Sequence, residues 1–317
     1  MTFFGDGGVT VGGSSRLVLG SANNPTGTYT YNLNGGTLTV PRIAREATAG
    51  SATATFNFNG GTLRPTAAST TFLQGLTAAN VKASGAIVDT NGLAVTIAQP
   101  LLHDASLAAT ADGGVTKLGA GTLTLSGTNT YTGTTTIAAG TLRLVSDAQS
   151  PVFASGGADL LGGLLVFDYT GGASPAALVQ STLAAGFGLS PQFSAGAIRS
   201  SALPFGRTIG FVDDGVSQLT IALTRPGDLN LDFTVNFSDL LSLAAHYGQT
   251  GGSVTWSTGD VNYDGTVNFA DLLALAANYG LTSTSFESDW AMARAAVPEP
   301  ATLLFLAPAL LVRRRRS

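Results

Sequence analysis

One short pattern, repeated, limits this chain more than any other feature. Tyr31-Asn32-Leu33-Asn34-Gly35-Gly36-Thr37-Leu38 returns as Phe56-Asn57-Phe58-Asn59-Gly60-Gly61-Thr62-Leu63. In each copy apolar and polar residues alternate, an Asn-Gly-Gly turn follows, and a new alternation begins. Successive side chains of a strand point to opposite faces, so alternation of period two is strand chemistry. Asn-Gly-Gly supplies the left-handed backbone of a tight turn. A third version runs from Gly113 to Leu144, where Leu123, Leu125, Ile137, Leu142 and Leu144 alternate with Thr, Ser or Arg. Such units can pair as hairpins or stack as rungs of a solenoid. Imperfect repeats of roughly 20–30 residues favour the solenoid, whose rungs bury one continuous core. Thr-rich outer faces suit it, because β-branched residues pack well on a pleated surface.

Composition narrows the class. The chain has 317 residues with 41 glycines, only 11% charged residues and a mean hydropathy of +0.28. Disorder goes with the opposite balance, and glycine without a G-X-Y period excludes collagen. A mainly β protein remains. There is no cysteine, which removes disulfides and thiolate metal sites and is compatible with export. The net charge is −4, and it becomes −8 without Arg313, Arg314, Arg315 and Arg316. An acidic body disfavours nucleic acid and suits divalent cations. Met1–Asp6 has no basic-then-apolar leader, so the start is read as a fragment or a mis-called start.

Gly113–Leu144 resembles the autotransporter-associated β-strand repeat. Lys117, Gly119, Gly121, Thr122, Leu123, Leu125, Gly127, Asn129, Tyr131, Gly133, Thr135, Ile137, Gly140, Thr141 and Leu142 carry the resemblance. It implies a right-handed parallel β-helix, a passenger-like solenoid assigned here to residues 1–144. Residues 145–226 are less repetitive. Ala154–Phe167 and Thr208–Leu223 read as strands and Leu178–Ala185 as a helix, giving a terminal cap or small β domain.

The sharpest chemical signal follows, at 227–282. Gly227-Asp228-Leu229-Asn230-Leu231-Asp232-Phe233-Thr234-Val235-Asn236-Phe237-Ser238-Asp239 aligns with Gly259-Asp260-Val261-Asn262-Tyr263-Asp264-Gly265-Thr266-Val267-Asn268-Phe269-Ala270-Asp271. Each precedes an apolar helical run ending in Tyr-Gly. Ca²⁺ takes hard oxygen ligands, and a 12-residue loop gathers positions 1, 3, 5, 7, 9 and 12 around one point. Those are Asp228, Asn230, Asp232, Thr234 (by its carbonyl), Asn236 and Asp239, then Asp260, Asn262, Asp264, Thr266 (by its carbonyl), Asn268 and Asp271. Two Ca²⁺ sites are expected. Val235 and Val267, at the eighth positions, would pack the loops together, and the helices would begin at the last ligand. The competing reading is a solvated turn in which Asp239 and Asp271 cap helices; two loops in one register weigh against it. Position six is Gly265 in loop two but Phe233 in loop one. A left-handed backbone there costs a non-glycine residue about 1–2 kcal/mol, so loop one should bind about a decade more weakly.

The pair resembles a type I dockerin repeat. That resemblance implies a cohesin-like or intramolecular partner, met at Phe237-Ser238 and Phe269-Ala270. An exposed Phe pair would anchor a partner, whereas buried rings would fill a small core.

After a linker at 283–296, Val297-Pro298-Glu299-Pro300 precedes the apolar run Ala301–Val312 and the four arginines. The run is shorter than the roughly 20 residues of a spanning helix. This tail, at 297–317, resembles the PEP-CTERM sorting signal. It implies transient association with the inner membrane as a short hydrophobic helix, processing by an exosortase-type enzyme, and release to the cell surface or extracellular matrix.

No catalytic constellation stands out. His103 and His246 read as surface or packing residues, and Asp213-Asp214 lies in a Val-Asp-Asp-Gly turn. β-Helices also host polysaccharide lyases, but those gather charge in a groove, and the first 225 residues here are nearly charge-free. The readings are therefore a non-catalytic, calcium-stiffened surface or matrix protein, or a carbohydrate-related one acting in polysaccharide catabolism or adhesion through a cohesin-like partner.

Overall fold

The computed structural model describes residues 2–4, 9–10, 16–20, 23–45, 50–145 and 150–280. The chain divides into two compact units, the first ending at Thr224 and the second beginning at Arg225.

In the first unit the alternating segments stack in parallel as a solenoid of about six turns. The first turn contributes β1 (Thr2–Phe4), β2 (Val9–Thr10) and β3 (Leu17–Leu19). The second contributes β4 (Thr28–Leu33), β5 (Thr37–Val40) and β6 (Ile43–Arg45), and the third β7 (Thr53–Phe58), β8 (Thr62–Pro65) and β9 (Ser69–Gln74). β10 (Ala78–Val81), β11 (Ala86–Asp89) and β12 (Val95–Ile97) form the fourth; β13 (Leu101–His103), β14 (Val115–Leu118) and β15 (Thr122–Leu125) form the fifth. The strands of each turn join three separate sheets, ordered β1-β4-β7-β10-β13, then β2-β5-β8-β11-β14, then β3-β6-β9-β12-β15. Parallel pairing excludes hairpins, which require antiparallel neighbours.

Alternation explains the core. Leu123 and Leu125 are fully buried, and Leu142 and Leu144 stack on them one turn later. Tyr31 lies flat on Phe56, with ring centroids 5.3 Å apart. On the outer side, Asn80 Nδ2 donates to Asn57 Oδ1 (2.9 Å) and Asn57 Nδ2 to Asn32 Oδ1 (2.7 Å). This asparagine ladder fixes the register of β4, β7 and β10.

The first sheet ends at β13. Above it the chain crosses in irregular conformation, with Leu101 N donating to Asn129 Oδ1 (2.9 Å) and Thr130 N to Leu101 O (2.9 Å). The other two sheets run on past residue 144 through β16 (Thr135–Ile137), β17 (Thr141–Val145), β18 (Ala158–Leu160), β19 (Leu164–Asp168) and β20 (Ile198–Arg199). The strand expected over Ala154–Phe167 is interrupted. A short helix α1 (Ser150–Ala154) takes its first residue, and Gly156-Gly157 and Gly162-Gly163 break the run into β18 and β19. The helix expected at Leu178–Ala185 occupies Ala176–Phe187 as α2. Thr208–Leu223 folds back as β21 (Thr208–Asp213) and β22 (Gln218–Thr224), antiparallel to each other, and β22 pairs antiparallel with β19. Asp214 makes that turn, accepting from the backbone N–H of Val216, Ser217 and Gln218.

Lys117 is the least expected core residue. It is fully buried on β14, and its Nζ donates to Thr90 Oγ1 (3.1 Å), Leu118 O (2.9 Å), Gly119 O (2.7 Å) and Ala139 O (3.0 Å). Burial pulls its pKa down to about 8. The acceptors come from three successive turns, so one ammonium ties them together. Lys117→Met should lower stability by about 1–3 kcal/mol by stranding these acceptors. Lys117→Ala, which adds a cavity, should cost about 3–5 kcal/mol; chemical denaturation of the full chain checks both.

The described part of the second unit is two loop–helix repeats with α3 (Phe237–His246) and α4 (Phe269–Asn278). The tail expected as a sorting helix, from Val297-Pro298-Glu299-Pro300 to the arginines, lies outside the described residues, as does the linker. Among the described residues no helix is long and apolar enough to cross a membrane.

Candidate metal centre

Each helix starts earlier than the sequence suggested, at the tenth loop position. Asn236 is the N-cap of α3, its side chain accepting from Ser238 N (2.8 Å), while Asp239 accepts from Asn236 N (2.9 Å). Asn268 and Asp271 repeat this box on α4. Two reciprocal side-chain bonds satisfy orphan N–H groups of the first turn, which draws the helix start back to the cap. Capping and ligation thus fall on the same residues, since a carboxylate that caps retains free lone pairs.

The two loops share most of one hydrogen-bond scheme. Asp239 Oδ1 accepts from Leu229 N (2.8 Å), as Asp271 Oδ1 does from Val261 N (3.0 Å). Asp228 Oδ2 accepts from Phe233 N (3.1 Å), as Asp260 Oδ2 does from Gly265 N (3.0 Å). These bonds fold the loop round its first carboxylate. Asp228, Asp239, Asp260 and Asp271 are buried to 1% exposure or less, whereas Asp232 and Asp264 are exposed. The side chains of Asn230 and Asn236 both point at this group, bonding Asp232 Oδ2 (3.0 Å) and Thr234 Oγ1 (2.9 Å). Asn262 and Asn268 do the same in loop two, to Asp264 Oδ2 (2.9 Å) and Thr266 Oγ1 (2.6 Å).

Electrostatics follow burial. Burial, then the charges of Asp271 and Asp264, push Asp260 up to about 6. Asp239 is raised by burial and by Asp228 and Asp232, and Asp271 by burial and Asp264. Asp232 is lowered, first by the Thr234 hydroxyl. Buried like charges with only oxygen donors around them are what a hard cation relieves, so the donor set fits Ca²⁺. Among the described residues, no three His, Cys, Asp or Glu side chains are drawn together closely enough to form a metal cluster by themselves. Half of each expected donor set is asparagine and a threonine carbonyl.

Backbone conformation bears out the sixth position. Phe233 has φ +70° and Gly265 has φ +79°, so a phenylalanine holds the left-handed turn that glycine holds in loop two. Leu231 (φ +58°) and Tyr263 (φ +60°) are left-handed as well, at the fourth position, which the sequence reading passed over. Val235 and Val267 are buried, but their carbonyls do not join the loops to each other. Val235 O accepts from Gly280 N (3.1 Å) beyond α4, and Val267 O from Gly248 N (2.8 Å) beyond α3. Each loop is bound to the tail of the other repeat's helix.

Glycines before the first ligands complete this exchange. A Cβ on Gly227 would lie 2.6 Å from Leu275 Cα of α4, and one on Gly259 would lie 3.3 Å from Leu243 Cα of α3. Trp256, also missed from sequence because it sits in the spacer, is fully buried, donates to Asp228 O (2.7 Å) and packs on Tyr263 at 5.7 Å. The paired Gly-Asp at both loop starts was the available signal for the glycines. Phe237 (36%) and Phe269 (57%) are exposed, and so are Ser238 and Ala270; the rings do not fill the core. His246 lies in the last turn of α3, with Nδ1 against Ser242 O at 2.8 Å.

Residues 226–278 match the type I dockerin domain. Residues 115–144 match the passenger-associated-transport-repeat, the stretch that holds Lys117 and Asn129. No curated protein and no solved structure matches the chain. Type I dockerin domains generally bind calcium and cohesin partners. Both matched modules are non-catalytic, and together they fit an exported or cell-surface protein.

The glycine contacts give a contrast between two loops of one chain. Gly227→Ala, with a left-handed φ of +98° and backbone in the way, should destabilise the dockerin module by about 2–4 kcal/mol. Gly265→Ala meets open space and should cost only about 1 kcal/mol. Hydrogen exchange of the α4 amides in the full chain measures both.

Proposed function

We propose that this chain is a non-catalytic surface or extracellular-matrix protein whose β-solenoid stalk carries a dockerin module stiffened by two calcium ions. The observation that supports it is the set of hydrogen bonds the two loops share around their buried first and last carboxylates. Asp228, Asn230, Asp232, the Thr234 carbonyl, Asn236 and Asp239 would hold one ion. Asp260, Asn262, Asp264, the Thr266 carbonyl, Asn268 and Asp271 would hold the other. The ions would neutralise carboxylates that repel one another and lock the loops to the exchanged helix tails.

In this reading the solenoid is right-handed, as parallel crossovers almost always are. The Val297-Pro298-Glu299-Pro300 tail is a sorting signal, cut by an exosortase-type enzyme after transient membrane association. The second reading rests on the exposure of Phe237, Ser238, Phe269 and Ala270, which favours a partner surface. A cohesin-like partner there would place the protein in polysaccharide breakdown or glycan adhesion.

Calcium titration of the full chain by calorimetry tests the first reading. Wild type should show two events, Asp264→Ala should lose the tighter one, and Phe233→Gly should tighten the weaker one about tenfold, since the relieved turn is worth about 1–2 kcal/mol. No heat at millimolar calcium would reduce the loops to capped turns and sink the proposal.

A further inference from the structure

We propose that His103 is a proton-operated latch that holds the Asp104–Gly113 excursion closed at the end of the first sheet. The chain leaves β13 at His103, makes a 3-10 turn at Ala105–Leu107 and returns to β14 through Asp112. None of the residues in that turn is buried, so apolar packing does little to hold the excursion. Both nitrogens of the His103 ring face acceptors. Nδ1 lies 2.9 Å from Asp112 Oδ2, and Nε2 lies 3.1 Å from Ala108 O. The third neighbour is the Thr132 hydroxyl, 3.1 Å from Nδ1 and 3.2 Å from Asp112 Oδ2.

An imidazolium satisfies both acceptors, because it has two N–H donors; a neutral ring has one. With the proton on Nε2, the Nδ1 lone pair turns toward the carboxylate, and the single proton of the Thr132 hydroxyl can serve only one of the two. With the proton on Nδ1, the Nε2 lone pair faces the Ala108 carbonyl and that tie is lost. Either neutral form gives up a charge-assisted or a carbonyl bond. Asp112 cannot follow the ring. Its side chain is fully buried and accepts from Gly114 N (2.9 Å), Thr132 N (2.8 Å) and Gly133 N (2.9 Å). The exposed excursion at Ala108, itself held at φ +51°, is the side that gives way.

The surrounding charges act in the same sense. Asp104 also favours the imidazolium and is paired with Lys82 from the end of β10; the 3-10 turn carries no charge, and Tyr131 above Asp112 is neutral. The Asp112 bond and then the Ala108 bond raise the His103 pKa above its ordinary value. A raised folded pKa means the latch contributes fully below about pH 6.5 and is lost as pH rises through the folded value.

The test uses the full chain, titrating the His103 ring by NMR and measuring amide exchange of residues 105–111, corrected for intrinsic rates, at pH 5.5 and 8.5. In wild type the ring should titrate above about 6.5, and protection of 105–111 should fall about tenfold at the higher pH while Gly133 stays protected. His103→Gln should show the weakly protected excursion at both pH values. A ring titrating at or below the ordinary value, or protection indifferent to pH in wild type, overturns the proposal without recourse to the variant.

Discussion

Parallel stacking without local contacts is the constraint on which the first unit depends. A strand of this solenoid has no partner in its own turn; Thr53 lies over Thr28 and Thr141 over Thr122, each a full turn away. Loop closure must come before any such contact rewards it, and a slip of one residue would turn every core side chain outward. Register therefore has to be pinned by side chains that read the turn above or below. The asparagine ladder does this over β4, β7 and β10. Where the first sheet ends, the task passes to Asn129 over Leu101, to Lys117 across three turns, and to Asp112 against Gly133.

How much of this was legible depended on whether a residue acts within its own turn. Alternation gave the strands and their inner faces because Leu38, Leu63, Leu123 and Leu142 need only point inward. Lys117 belonged to the recognised repeat pattern, yet nothing local marks it as buried; a lysine in an alternating strand reads as solvent-facing. Two of its four acceptors, the Thr90 hydroxyl and the Ala139 carbonyl, are distant in sequence, and only the fold brings them to the ammonium. The break at Ala154–Phe167 was misread for a similar reason, since the glycine pairs flanking Leu160 act as turns only once the sheet below sets where the strand must bend.

The dockerin module is legible to a different degree. Ligand spacing is a local property, so both loops could be aligned residue for residue, and position six could be flagged from glycine against phenylalanine. The exchange between repeats could not. Gly227 looks like a loop residue until α4 is found against it, and nothing in the sequence shows that the Val235 carbonyl takes the N–H of Gly280. At position six itself the strained turn keeps its bond: the Phe233 N–H reaches Asp228 at 3.1 Å, against 3.0 Å for the glycine equivalent.

Charge is divided between the units in a way that bears on function. Among the described residues of the solenoid, the arginine and lysine ion pairs run between neighbouring turns, Arg64 to Asp89 (3.6 Å), Lys82 to Asp104 and Arg143 to Asp168 (2.7 Å). Part-exposed pairs of this kind add little stability, about 0–1 kcal/mol each, but they discriminate between registers, because a slipped strand would strand each charge. In the dockerin module the carboxylates face one another, and burial with mutual repulsion raises three of them. A solenoid that spends its few charges on alignment and a module that concentrates buried carboxylate are complementary designs.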